Sequence, residues 1–411
     1  MFQRLRILSS IAVVAQVMAV HAQVDSVVVD TTSTDSASQR LNMDAVYARP
    51  LNTLGTSAVA LGGYAEAHAM FAGTDGVNEG WSFVIPRLTL FVSADINDRI
   101  RFLTEIELEE GGREINIEYA ALDLVLHPLF TVRGGVVLNP IGAFNQNHDG
   151  PRWDFIERPL ASTTIIPATW SNVGFGAYGK TSNGIWTWGY EAYLTNGFDQ
   201  RIIDNDQGRT WLPATKENSE RFTESFNGSA MTTLKTALRH HRFGEVGLSW
   251  MGGVYNKFQD DGLELDRRRR VDVYAIDYNN EIGRWGTAIT GEWVVAHIDV
   301  PEVHSPQYGR LQSGGFIDVV QRLLQRRMLG WDNARLEVAG RFETADYNNG
   351  VFETTSTNIG DCVKAFTVGL AFRPVSGTVI RANFSESWTR DVFENPASRS
   401  AAIMLGLSTY F

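Results

Sequence analysis

From Ala58 to the terminal Phe411 the chain alternates apolar and polar residues with a period of two, in repeated segments of about ten residues. Residues 100–109 show the pattern best: Ile100, Phe102, Thr104, Ile106 and Leu108 fall on one side, Arg101, Leu103, Glu105, Glu107 and Glu109 on the other. One face suits lipid and the other water. The split returns in 245–254, with Val246, Leu248, Trp250 and Val254 against Glu245, Ser249 and Met251. It returns again in 334–343, with Leu336, Val338 and Phe342 against Arg335, Glu337, Arg341 and Glu343. After residue 22 no apolar run reaches the roughly 20 residues of a spanning helix, so any membrane crossing must be made by strands. A spanning sheet must then close, because hydrocarbon cannot satisfy the backbone groups of a free edge. The pattern predicts an all-β, transmembrane, antiparallel up-and-down β-barrel.

A soluble β-sandwich also alternates, so the connections have to separate the two. Strands placed at 58–71, 83–95, 100–110, 114–127, 130–138, 172–181, 185–196, 229–240, 243–255, 270–280, 285–297, 312–324, 333–345, 363–374, 378–389 and 400–411 number sixteen. Tight turns such as Asn97-Asp98, Ser182-Asn183-Gly184, Arg242-Phe243 and Ser376-Gly377 mostly alternate with longer polar stretches, the longest at 139–171 and 197–228. Short turns at one end and long loops at the other are the mark of a bacterial outer-membrane barrel. An even count leaves both termini on the short-turn, periplasmic side. The final segment sets Ile403, Leu405, Leu407, Thr409 and Phe411 on one face. Ending on Phe411, it looks like the terminal strand that the barrel-assembly machinery of outer membranes recognises. Trp186, Trp188, Trp285, Trp293, Tyr410 and Phe411 suit the interfacial aromatic girdles.

Residues 1–22 carry Arg4 and Arg6 and then an apolar run from Ile7 to Val20, the build of a secretory signal peptide with cleavage expected before Gln23. No cysteine lies near that cut, so lipid attachment there is not expected. Residues 23–57, rich in Ser, Thr and Asp, read as a flexible periplasmic leader with a short helix near 43–47, and no function is expected of them. Residues 58–411 then form the barrel. Removing two arginines from 36 basic and 47 acidic groups leaves a mature charge of −13, which argues against a nucleic-acid partner. Cys362 is the single cysteine, so no intramolecular disulfide stabilises the fold.

In this register the inward face collects Glu66, His68, Arg87, Arg101, Glu105, Glu107, Glu109, Glu118, Arg133, Glu191, Lys235, Arg239, Glu245, Glu292, Arg335, Glu337, Arg341, Glu343, Arg373 and Arg381. Acids and bases are close to balanced. Inside a wide ring such a wall predicts a water-filled lumen, with the charges also pairing among themselves. The stretch 139–171 is too long and too rich in aromatic residues and proline for a flexible loop, and loops of this length usually carry function. It is expected to fold into the barrel and set a constriction, an ordered cap on the rim being the alternative. Arg267 to Arg270 stand beside Asp260, Asp261, Glu264 and Asp266, and pairing with those acids or with lipopolysaccharide phosphates is favoured over an anion-collecting mouth.

The runs GGYAEAH at 62–68, RLTLFVSADINDRIRFLTEIELEEGG at 87–112, RGGVVLNPIG at 133–142, ERP at 157–159 and IIPATWSNVGFGAYG at 165–179 resemble the phosphate-selective porin O and P family. The likeness covers roughly 60–200 and is only architectural beyond. It implies a sixteen-stranded, homotrimeric diffusion channel for anions or small hydrophilic solutes, narrowed by its third external loop. The loop positions that match are Asn139, Pro140, Gly142, Asn145, Arg152, Glu157, Arg158, Pro167, Thr169 and Trp170. The family's phosphate-selective members line the channel with a dense ladder of Arg and Lys, whereas this wall holds about as many acids as bases, so selectivity stays open.

Two rival readings are a barrel enzyme, such as a lipase or protease, and a structural or adhesive barrel. An enzyme would place Ser or Asp beside His at a strand end. His68 with Glu66, and His240 with His241, lack a nucleophile motif, and His148 next to Asp149 is the best candidate. No cofactor is implied, and no His, Cys and carboxylate cluster has the spacing of a metal site.

Overall fold

The computed structural model describes residues 39–53, 57–283, 285–352 and 355–411. The expected signal peptide and most of the expected leader lie outside them. Sixteen strands form the barrel. They are β1 (Val59–Thr74), β2 (Val77–Val84 with Arg87–Asn97), β3 (Ile100–Glu109), β4 (Glu114–His127), β5 (Phe130–Leu138), β6 (Ser171–Asn183), β7 (Trp186–Thr195) and β8 (Met231–His240). The second half comprises β9 (Gly244–Val254), β10 (Arg270–Ile282), β11 (Thr287–Ile298), β12 (Leu311–Met328), β13 (Trp331–Asp346), β14 (Cys362–Arg373), β15 (Thr378–Arg390) and β16 (Ser398–Tyr410). The two parts of β2 are one strand, since Leu88 pairs with Ala65 and Val84 with His68 of β1 on either side of Ile85-Pro86. Pro86 has no N–H to give to the ladder, which explains the break.

Every strand pairs antiparallel with its neighbour in sequence, and β16 closes on β1 from Tyr64 opposite Tyr410 to Thr74 opposite Ser400. Closure leaves no edge, the condition for a sheet in lipid. All the expected strands are present. The largest departures are β2, which starts at Val77 because an Asp75-Gly76 turn joins it directly to β1, and β12, which continues to Met328. Loops 139–170 and 196–230 stand at the end opposite the turns at 98–99, 128–129 and 184–185. Outward positions such as Leu234, Leu248, Ile276, Trp293, Phe342 and Leu405 are exposed apolar side chains, as a lipid-facing band requires. No helix among the described residues is long and apolar enough to cross a membrane.

The interior differs from a uniformly aqueous channel. Ile141, Ile165, Ile166 and Trp170 of one long loop and Phe198, Ile202, Ile203 and Leu212 of the other pack on inward Val271, Val273, Val294, Ala296 and Ile298. On β10 and β11 both faces are therefore apolar, because the inner one is covered by the loops. The leader also departs from expectation: its described part, 39–53, lies within the barrel, with Leu41, Val46, Arg49 and Leu51 buried. A 3-10 turn does occur there, at Asn42–Val46. Tyr410 belongs to no girdle; alternation turns it inward, where its hydroxyl donates to Asp149 at 2.7 Å and accepts from Arg152 at 3.0 Å.

Candidate functional site

The loop 139–170 enters the lumen as a closed Ω, and one side chain ties its neck. Asn145 Nδ2 donates to the carbonyls of Asn139 and Trp170 at 2.8 and 2.9 Å, while its Oδ1 accepts from Trp170 N at 2.7 Å. Asn139 Nδ2 in turn donates to Asn172 Oδ1 at 2.6 Å. Trp170 stacks edge-on against Phe198, with ring centroids 4.6 Å apart. Within this frame run short turns at Asn145–Asn147 and Gly150–Arg152 and one helical turn at Leu160–Thr164. A loop with this much internal bonding carries few orphaned backbone groups into the barrel.

The wall satisfies what remains, and it sorts by charge. Acids take the loop's donors: Glu292 accepts from Ala143 N at 2.6 Å, Phe144 N at 3.3 Å and Ser162 Oγ at 2.7 Å, and Glu343 accepts from Leu160 N at 2.6 Å. Glu191 accepts from Gln146 Nε2 at 2.9 Å. Cations take its carbonyls. Lys235 donates to Gly142 O at 2.6 Å, and three arginines from adjacent strands grip 150–157. Arg341 on β13 donates to Glu157 O at 2.9 Å, Arg373 on β14 to Pro151 O at 2.7 Å, and Arg381 on β15 to Phe155 O at 2.7 Å. Each is also paired with an acid: Arg341 with Asp318, Arg373 with Asp154 and Glu337, Arg381 with Glu66. Gly142, at φ 65°, is needed for this approach, because a Cβ there would stand 2.1 Å from Glu292 Oε2.

The other expected wall residues also point inward. Arg87 bridges Glu66 at 2.8 Å and Glu107 at 3.1 Å, with Glu109 at 3.8 Å. Arg133 sits on Asp123 at 2.7 Å beneath the Tyr178 ring, with Arg101 3.8 Å from the same carboxylate. Arg239 pairs with Glu245 at 3.5 Å, and Arg335 with Glu337 at 3.7 Å. In the loop, Arg158 donates to Thr169 Oγ1 at 3.2 Å and lies 3.7 Å from Glu107. Arg152 instead donates to the carbonyls of Ala45 and Ala48 in the N-terminal segment. His68, Arg87, Arg158 and the exposed Glu157 border a cavity of about 530 Å³ on the long-loop side. At the rim, Arg269 pairs with Asp266, one of the expected acids, whereas Arg267 pairs with Asp299 and Arg270 with Asp272, which lie outside the expected cluster.

Sequence reasoning missed Asp123, Asp277 and Asp318, which partner Arg133, Lys235 and Arg341. Their inward register could have shown them. It missed Arg49 and Tyr47 for a better reason, because they lie in a stretch with no period. His148 and Asp149, the best hydrolase candidate, are buried loop anchors: Asp149 holds Arg49 at 2.7 Å, and His148 places Nδ1 on Asn145 O at 2.9 Å and Nε2 on Glu105 at 3.1 Å. The fold does gather ligating atoms of Glu105, Glu107 and His148 within 4.8 Å of one another, which spacing in sequence did not suggest. Arg49 lies 2.9 Å from Glu105 and Arg87 3.1 Å from Glu107, so guanidinium groups already supply the positive charge a metal would bring.

Burial works against a charged His148, but Glu105 and Asp149 outweigh it and raise the imidazole above its usual range. A raised folded pKa means that this anchor contributes fully below the unfolded value of about 6.5 and fades as pH climbs through the folded one. Proteolysis within 139–170 should therefore be slower at about pH 6 than at about pH 9, and His148→Gln should flatten that difference. Equal cleavage at both pH values in the wild type would refute the assignment.

Comparisons with known proteins agree with this architecture. No family model matches the chain. An uncharacterized protein of Aquifex aeolicus is 26% identical over 363 residues, covering 84% of this chain and 79% of that protein. Among solved structures, an anion-selective porin from Comamonas acidovorans superposes with a TM-score of 0.52 at 12% identity, over 86% of this chain and 99% of that one. OprB of Pseudomonas putida gives 0.52 at 9% identity, over 85% and 93%. The trimer form of OmpT from Vibrio cholerae gives 0.51 at 10%, over 86% and 100%. The chain has the fold of outer-membrane porins and channels.

Proposed function

We propose that this chain is an outer-membrane porin through which small hydrophilic solutes or ions diffuse passively, with loop 139–170 as its constriction. The observation that carries the reading is that loop, strapped across the lumen of a closed sixteen-stranded barrel by acids and bases from around the wall. An adhesive or purely structural barrel has no need of a charged cavity beside such a strap. The reading assigns no catalysis, since His148 and Asp149 have structural partners. Export through a cleaved signal peptide, assembly through Phe411, a lipid and lipopolysaccharide surround and a homotrimeric state belong to the same reading. The trimer form of the Vibrio cholerae protein supports the last of these.

For selectivity the wall argues against the strong phosphate preference that the family resemblance raises. Arg341, Arg373 and Arg381 would make an anion ladder by position, but loop carbonyls and carboxylates occupy them. Arg87 and Arg158 are also paired with wall acids, but at 18% and 13% side-chain exposure they still border the cavity together with Glu157 and Glu343, a mixed site suited to weak discrimination. In planar bilayers the purified protein should give stepwise conductance with a small reversal potential in a salt gradient. Arg158→Glu should move that potential toward cations, whereas Arg152→Ala should leave it in place. A barrel that inserts and never conducts would rule the porin reading out.

A further inference from the structure

We infer that residues 41–51 are a second constriction element, seated in the lumen from the short-turn end, so that the conducting path is set jointly by this segment and loop 139–170. The inference rests on the porin reading and extends it to a stretch that composition alone presents as a leader. Asn52 and Thr53 pair with Leu61 and Ala60 of β1, and the chain on their N-terminal side then lies inside the barrel. From there it touches six consecutive strands, β2 to β7, and β9. Arg49 lies over the Phe91 ring of β2, its guanidinium 4.1 Å away, and bonds Glu105 of β3 at 2.9 Å. The Tyr47 hydroxyl donates to Asp123 of β4 and accepts from Arg133 of β5 at 2.8 Å. Asp44 meets Lys180 of β6 at 2.9 Å, Leu41 and Met43 lie against Gly189 of β7, and Asn42 N donates to Glu245 of β9 at 3.0 Å.

The segment is also joined to the loop. Arg49 donates to Asp149 at 3.0 and 2.7 Å, Asn42 Nδ2 to Ala143 O at 3.1 Å, and Arg152 returns two bonds to Ala45 O and Ala48 O. The wall is shaped to receive it. A Cβ at the inward Gly62 would stand 2.5 Å from Pro50 O, and one at the inward Gly189 would stand 2.6 Å from Leu41 Cδ1 and 2.8 Å from Met43 Sδ. Two wall glycines at the two sides of one strap are hard to account for if the lumen stands empty. Leu41, Val46 and Leu51 are buried at 3%, 1% and 5% exposure, and with Arg49 removed Asp149 and Glu105 would lose a cation that sits 1% exposed between them. Cavities of about 400 and 660 Å³ flank the segment at the short-turn end, and Ala48 borders both. A solute leaving the loop region on that side must pass beside it.

Bilayer recordings decide this. The mature chain is compared with a variant in which 41–51 are replaced by a Gly/Ser linker of equal length, and with Arg49→Glu, which sets a carboxylate against Asp149 and Glu105. The linker variant should conduct about twofold or more above the parent, and Arg49→Glu should fall between them with added current noise. A conducting parent whose linker variant carries the same current overturns the inference. Silence from both chains would instead strike the porin reading. Should the linker variant fail to give a heat-modifiable barrel, Ala48→Cys in a Cys362→Ser background takes over. A bulky thiol reagent added from the short-turn side should then cut the current, and complete labelling with unchanged current overturns the inference.

Discussion

Arg341→Ala is expected to cost the barrel about 3–5 kcal/mol, the range for leaving one member of a buried ion pair without its partner. Both Arg341–Asp318 bonds are 2.7 Å, and the two side chains are 1% and 4% exposed. The guanidinium lies 4.3 Å over Phe155 of the loop and holds Glu157 O, so its loss should free the loop and strand Asp318 at one stroke. Unfolding of the detergent-solubilised protein in denaturant measures the first effect, and protease sensitivity of 150–157 the second. Asp318→Asn introduced together with Arg341→Ala should recover much of the stability and none of the loop protection. If the two single losses simply add in the double variant, the pair is not coupled and the assignment fails.

The second large effect is expected at Glu292. Its carboxylate is the acceptor for two loop amides and one hydroxyl, so Glu292→Ala leaves three buried donors without it, each costing about 1–3 kcal/mol if it stays unpaired. The loop has a cheaper course, which is to leave the wall. Glu292→Ala should therefore show larger and noisier conductance together with cleavage between residues 139 and 170. Glu292→Gln keeps an acceptor for the amides, and its NH₂ can donate to Ser162 Oγ, so it should resemble the parent. Parent-like conductance in Glu292→Ala would mean that the loop is held by the apolar contacts of Ile141, Ile165 and Ile166 alone.

These two residues also mark the limit of reading charge from a pattern. Arg341, Arg373 and Arg381 were recognisable as inward from alternation, and a channel-lining role was the natural expectation for them. What they face is a set of backbone carbonyls on a loop about 180 to 230 residues away in the chain. Tyr410 carries the same lesson in reverse. Its place at a strand end suited a girdle, yet the same alternation that sends Phe411 outward turns it in toward Asp149.

The sequence by itself determined the barrel: the strand number, the up-and-down order, the lipid and lumen faces and the two kinds of ends. All of these follow from a period of two and from turn residues, which act between neighbours a few positions apart. Only the tertiary structure decided what fills the ring. Whether a charged wall faces water, a loop or the leader depends on which groups meet across the lumen, and closure brings them together without leaving any periodic trace. Arg49 is the clearest instance, a lone cation in an unpatterned stretch that becomes the link between leader, wall and loop because Asp149 and Glu105 converge on one point.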